Sequence, residues 1–134
     1  MLILDTHALI WAHLGLRLHQ RAQRQIADAG ERNELCVSAI TPWEIALAVR
    51  ARRLRVAGDA LEWILAALDG VAASVATLEP AIAVEAATLP WHHADPADRI
   101  IVATARRLGA TLITADTAIL DYAEATKAVR VLEI

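Results

Sequence analysis

Cysteine is nearly absent from this 134-residue chain. Cys36 stands alone, which excludes an internal disulfide and makes a reducing cytoplasm the expected setting. Lysine is equally scarce: of the 13 basic residues, all but Lys127 are arginine. No segment approaches the ~18 uncharged apolar residues of a membrane span. The start lacks the basic stretch and apolar core of a secretory leader, so neither a leader nor a membrane association is expected. A net charge of −3 argues against a protein that coats nucleic acid through bulk charge. Low-complexity tracts and repeats are missing too, and Val56-Ala57-Gly58, the one linker-like piece, is too short to separate domains.

What remains is a chain rich in Ala, Leu, Ile and Val, with 57% hydrophobic residues. Its length suits a single domain, residues 1–134, that buries roughly two-thirds of its unfolded surface. The basic residues cluster: Arg50, Arg52, Arg53 and Arg55 form one group, and Arg17, Arg21 and Arg24 another. An acidic site with a basic rim fits this balance.

The most informative stretch is the first. Leu2 to Leu4 is a short apolar run ending at Asp5, the pattern of a strand buried on both faces. Thr6 to His13 reads as a helix, and His19 to Ala29 as a second, with Gly30 as its stop. Leu35-Cys36-Val37 is a strand. Thr41-Pro42-Trp43-Glu44 opens a helix that runs to about Arg53, with Thr41 as cap, Pro42 in the first turn and Glu44 closing a capping box. Asp59 opens another helix that ends at Gly70. Ala72 to Leu78 is a third strand, Pro80 to Leu89 a helix, and Asp95 the cap of the helix Pro96 to Leu108, which Gly109 ends. Thr111 to Thr114 is a strand, Thr117 to Tyr122 a short helix, and Val129 to Leu132 a last strand. Strands and helices alternate throughout, which predicts an α/β fold with a largely parallel sheet covered on both faces.

In such a sheet the carboxyl ends of strands and the amino ends of helices share one edge. Asp5 and Asp116 each follow a strand, while Glu44 and Asp98 each lie in the first turn of a helix. All four are therefore expected at one place. Each has a simpler explanation on its own: an acid at a helix start is a cap, or is stabilised by the helix dipole. Glu62 repeats the grammar of Glu44 and is read as capping only. Together, four neighbouring carboxylates repel unless protonated or neutralised by a cation. Oxygen-only ligands select a hard divalent ion, Mg²⁺ or Mn²⁺. One or two such ions activate water and polarise a phosphoryl group, the chemistry of a nuclease or phosphatase.

Four stretches spanning nearly the whole chain carry a resemblance: Leu4-Asp-Thr-His-Ala-Leu-Ile-Trp11; Ser38-Ala-Ile-Thr-Pro-Trp-Glu44; Leu89-Pro-Trp-His-His-Ala-Asp-Pro-Ala-Asp-Arg-Ile-Ile101, continuing to Ala105; and Leu112-Ile-Thr-Ala-Asp116 with Tyr122 beyond. In these the chain resembles the PIN-domain ribonucleases, specifically VapC-type toxins of type II toxin–antitoxin pairs. The resemblance implies a three-layer α/β/α sandwich around a central, mainly parallel sheet. It also implies Mg²⁺-dependent RNA cleavage, a cognate antitoxin and a homodimer. Asp5, Glu44, Asp98 and Asp116 occupy the family's acidic positions. Thr114 matches a supporting hydroxyl, Thr6 a second, and Asp95 ranks as cap and outer support. Ala94 and Ala97 depart from the commoner basic residue and Phe, which bears on substrate preference.

Other residues carry less. Arg50 to Arg55 and Arg99 are placed to follow phosphates, though a solvated helix face explains any single one. The His92-His93 pair suggests zinc, but adjacent side chains diverge and no cysteine lies near, so structural or RNA-proximal roles are favoured. Trp43 and Trp63 are expected at a dimer or antitoxin contact. A phosphoryl-accepting signalling domain is disfavoured, because Thr6 follows Asp5 and the only lysine is near the carboxyl end. A haloacid-type phosphatase wants an acid where His7 stands. The alternative from another class is a non-catalytic acidic module that grips an arginine-bearing partner.

Overall fold

A computed structural model describes residues 1–134. The elements run β1 (Leu2–Leu4), α1 (Thr6–Leu14), α2 (Gln20–Glu31), β2 (Leu35–Ser38), α3 (Thr41–Arg50), α4 (Ala60–Val71), β3 (Ser74–Ala76), α5 (Pro80–Thr88), α6 (Pro96–Leu108), β4 (Thr111–Thr114), α7 (Thr117–Thr126) and β5 (Arg130–Glu133). The five strands form one sheet in the order β3-β2-β1-β4-β5, and every pairing is parallel. β1 lies in the middle, with Leu4 beside Val37 on one flank and Ile113 on the other. The chain therefore builds outward from β1 through β2 and β3, then returns to β1's other side. The point of reversal lies between β1 and β4, where open α/β sheets form their ligand crevice.

Side chains alternate across the sheet and fill two separate cores. Ile3, Cys36 and Leu112 face Ile101, Val102 and Ile119, under α6 and α7. Leu4, Val37 and Ile113 face Leu9, Ile45 and Ile64, under α1, α3 and α4. Helices thus cover both faces of the parallel sheet, as the strand–helix alternation predicts, and the chain adopts the three-layer α/β/α sandwich that the resemblance implies. Cys36 is free and buried within the first core. No helix is long and apolar enough to cross a membrane.

Several boundaries differ from the sequence reading, each for a physical reason. Gly30 does not stop α2, which continues to Glu31. It is buried against the end of α4, where an added Cβ would sit 2.6 Å from the Val71 carbonyl oxygen, so glycine permits that contact. α3 stops at Arg50 rather than Arg53, because Arg52 turns into the left-handed region at φ 58°. Thr41 is not the cap of α3; Ile40 holds that place, in helical geometry and with no side-chain cap bond. Only Ser74–Ala76 of the expected Ala72–Leu78 strand pairs, at an edge. α7 runs four residues past Tyr122 before Lys127 ends it in left-handed geometry.

Candidate active site

Asp5 follows β1 directly and caps α1. Its Oδ1 accepts the Ala8 amide at 2.7 Å, which satisfies one of the helix's free donors. Its Oδ2 accepts the Thr114 hydroxyl. The capping explanation and the site explanation thus apply to different oxygens of one carboxylate. Only 5% of the residue is exposed. Burial pushes the Asp5 carboxyl above its ordinary range, against the pull of the Thr114 and Ala8 hydrogen bonds and of His7, and the charge of Asp116 adds to the rise.

Asp116 caps α7, with Oδ1 accepting the Ile119 amide at 3.0 Å, and its own amide donates to Thr114 Oγ1 at 3.0 Å. Glu44 projects from the first turn of α3 and accepts the Thr6 hydroxyl. Because Thr41 is not the cap, no capping box exists; what remains of the simpler explanation for Glu44 is the helix dipole. The Thr41 hydroxyl instead lies 3.3 Å from that of Thr6, behind the carboxylate. Burial raises the Glu44 carboxyl; the Thr6 bond opposes it, and the charges of Asp98, Asp95 and Asp5 reinforce it.

Asp98 stands in the first turn of α6. Asp95 caps that helix, accepting the Ala97 amide at 2.9 Å and the Asp98 amide at 3.4 Å. Burial raises the Asp98 carboxyl too. A hydrogen bond from His93 opposes the rise, and Asp95 and Asp116 add to it. Charges link them in part: Asp116 acts on Asp5 and Asp98, and Asp5 and Asp98 act on Glu44. The four acids stand just after β1, in the first turns of α3 and α6, and just before α7, at the edge where the topology reverses; the ligand-capable atoms that lie within 4.8 Å of one another are those of His93, Asp95 and Asp98.

A groove of about 1020 Å³ leads away from this cluster. Thr6, Glu44 and Asp95 line it along with Arg17, Arg50 and Arg53. Trp11 and Trp43 stand in its walls, with the Arg17 guanidinium 5.5 Å from the Trp11 ring and Trp43 54% exposed. One expectation is corrected here. Arg99 does not face a ligand: its guanidinium donates to the carbonyl oxygens of Ala86, Leu89, Trp91 and His93 at 2.6–3.1 Å. Trp63 is half-buried, packed against the core beneath α4 and edge-on to His13 at 5.2 Å. His93, read from sequence as structural or RNA-proximal, has a partner the sequence did not show: its Nε2 lies 2.6 Å from Asp98 Oδ2. Its one available signal was its place just ahead of the cap Asp95, within the loop that leads into α6.

Comparison with known proteins agrees with this fold. The PIN domain family model matches residues 2–125. The chain belongs to the PIN-domain family. Within that family it is 36% identical over 118 residues to Ribonuclease VapC22 of Mycobacterium tuberculosis, covering 85% of each protein. Among solved structures, FitAB bound to an IR36 DNA fragment superposes with a TM-score of 0.58 at 26% identity, over 99% of this chain and 94% of that one. FitAcB from Neisseria gonorrhoeae gives 0.57 at 25% identity, over 98% and 96%. VapBC2 from Rickettsia felis, bound to a DNA fragment from its promoter, gives 0.68 over 99% and 98% at 13% identity, a likeness of fold.

Proposed function

We propose that this PIN domain, residues 1–134, is a cytoplasmic Mg²⁺- or Mn²⁺-dependent ribonuclease. In this reading it is the toxin of a type II toxin–antitoxin pair, a homodimer held inactive by its cognate antitoxin. The observation that carries the reading is the convergence of Asp5, Glu44, Asp98 and Asp116, three of them with carboxyls raised by burial and by one another. Raised carboxyls mean that the folded chain resists holding this negative charge alone, and a hard divalent ion among oxygen donors removes the conflict. The name of the VapC22 relative and the two-component VapBC and FitAB assemblies support the toxin reading.

The proposed metal-holding residues are Asp5, Glu44, Asp98 and Asp116. Thr114 and Thr6 fix the Asp5 and Glu44 carboxylates, and Asp95 fixes the start of α6. A bound divalent ion would supply Lewis acidity toward water and a phosphodiester. The protein's share is to aim the carboxylates, shield them on the protein side, and admit RNA along the groove. No side chain is placed as a nucleophile, so the reaction needs no covalent enzyme intermediate.

The test is an RNA cleavage assay on purified protein with and without Mg²⁺, repeated with Asp5→Ala. Metal-dependent cleavage by the native chain, abolished in the variant with the fold retained, is the expected result. Full activity in Asp5→Ala defeats the proposal. Binding of an arginine-bearing peptide with no metal-dependent cleavage would show a non-catalytic acidic module instead.

A further inference from the structure

The loop between α5 and α6, residues 89–95, carries a chain of contacts that ends on one acid. Tyr122, buried under α7, stacks on Trp91 with ring centroids 4.7 Å apart and planes 20° apart. Trp91 in turn packs against the His93 ring, centroids 4.7 Å apart and planes tilted by 30°. The His93 ring presents Nε2 to Asp98 Oδ2 at 2.6 Å. From behind, Arg99 grips the backbone of the same loop through the carbonyls of Leu89, Trp91 and His93. An imidazole packed on one face, bonded at one nitrogen and carried on a clamped backbone has little freedom to turn. The carboxylate it meets inherits that order.

His93, Asp95 and Asp98 together offer ligand-capable atoms within 4.8 Å of one another, so His93 has two conceivable roles toward a cation. The separations choose between them. Two ligands at right angles on an ion with bonds of ~2.1 Å stand about 3 Å apart. The observed 2.6 Å is shorter than that spacing and stands at the short edge of a charge-assisted N–H···O bond, typically ~2.7–2.9 Å. With the proton on Nε2, His93 donates to Asp98, leaving the other carboxylate oxygen for a metal. Asp95 gives one oxygen, Oδ1, to the helix start.

We propose that His93 is a positioning residue for Asp98: its Nε2–H holds the carboxylate in the orientation that meets a divalent ion, and the Trp91–Tyr122 stack holds His93. The proposal rests on the metal-dependent reading above. Outer partners that orient metal ligands typically change metal affinity 10–100-fold when removed. Asp98 is swept by neighbouring negative charge that would otherwise turn it away, so an effect of that size is expected here.

The experiment titrates Mn²⁺ into the full chain, following free aqueous Mn²⁺ by EPR, for the native protein, His93→Ala and His93→Gln. Thermal unfolding of each metal-free variant runs alongside. His93→Ala should weaken Mn²⁺ binding about 10–100-fold, and His93→Gln, whose side-chain amide still donates, should recover most of it. A purely packing role would not be restored by glutamine, which cannot pack on Trp91 as the ring does. Unchanged Mn²⁺ affinity in His93→Ala overturns the proposal, as does failure of glutamine to restore binding in a folded variant. So does pulsed EPR of the Mn²⁺-loaded native protein, labelled with ¹⁵N-histidine, if it shows a directly coordinated nitrogen. A native protein that binds no Mn²⁺ removes the metal reading and this inference together. A native protein that binds it, with His93→Ala unaffected, removes the inference alone.

Discussion

Thr114 and Asp5 are 109 residues apart in the chain, yet the hydroxyl of one donates to the Oδ2 of the other at the seam between β1 and β4. The same hydroxyl oxygen accepts the Asp116 amide at 3.0 Å. One buried threonine thus ties together two of the four acids and the two strands that deliver them.

Replacing Thr114 with valine keeps the shape and leaves a buried carboxylate oxygen and an amide without their partner. Each such group costs about 1–3 kcal/mol. Thr114→Val is expected to lose roughly 2–4 kcal/mol, seen in urea unfolding as a lower midpoint at unchanged slope. Thr114→Ser keeps the hydroxyl and should stay within about 1 kcal/mol of the native protein. Equal losses in both variants would mean that the methyl packing, not the hydroxyl, is what the site needs.

Asp5 has a pH signature. Its carboxyl is raised in the folded protein, chiefly by burial, so the folded state holds its proton to higher pH than the unfolded state does. In the metal-free protein its contribution is therefore most favourable below the ordinary carboxylate pKa. It is lost as pH climbs through the raised folded value. Asp5→Asn removes the ionisation and keeps an oxygen for the Ala8 amide. At pH 7, without metal, the variant should melt higher than the native protein by roughly 2–5 °C. The gap should close toward pH 4 and below. Mg²⁺ should raise the native melting temperature, by about 2.7 kcal/mol of stability at a hundredfold excess over Kd, and leave Asp5→Asn unmoved. A variant no more stable than the native chain at pH 7 would show that the buried charge is already compensated without a metal.

Local sequence patterns marked most elements correctly because the local and tertiary demands agree. The apolar run of β1, the Asp59, Asp95 and Asp116 caps and the Gly109 stop are decided within a few residues. The acids were visible as a group because parallel topology sends strand ends and helix starts to one edge. What was not legible depends on contacts between distant segments. The Thr41–Glu44 pair has capping-box spelling, but Thr6 comes from α1 to take the Glu44 carboxylate. Gly30 spells a helix end, but the close approach of α4 explains it better. Arg99 reads as a free cation until the loop wraps round its guanidinium. His93 has no pattern of its own, since its partner is chosen by the path of that loop.

The groove makes a separable prediction. Arg17, Arg50 and Arg53 line it without being among the acids, and Arg50 and Arg53 are exposed. If single-stranded RNA lies along it, each lost phosphate contact flattens the dependence of log affinity on log salt by about 0.7. The triple change Arg17→Ala, Arg50→Ala, Arg53→Ala should raise KM, leave kcat at saturating RNA near the native value and reduce the salt slope by about 2. An unchanged slope would place the RNA on another face.

Arg99 makes the last prediction, and it concerns shape rather than charge. Its Nε and two terminal nitrogens fan out to five carbonyl oxygens between Ala86 and His93. That fan requires a planar group with donors on three sides, which a lysine ammonium does not reproduce. Hydrogen bonds from a charged donor contribute about 1.5–3 kcal/mol each where water does not replace them, and this loop is partly open to water. Arg99→Lys and Arg99→Met are therefore both expected to lose roughly 2–4 kcal/mol, with the charge retained in one and removed in the other. Amide exchange should rise in residues 89–95 ahead of the rest of the chain, and Mn²⁺ affinity should fall in both variants because the loop carries His93 to Asp98. Native behaviour in Arg99→Lys would show that a positive charge at this point suffices, and that the geometry of the fork does not set the loop.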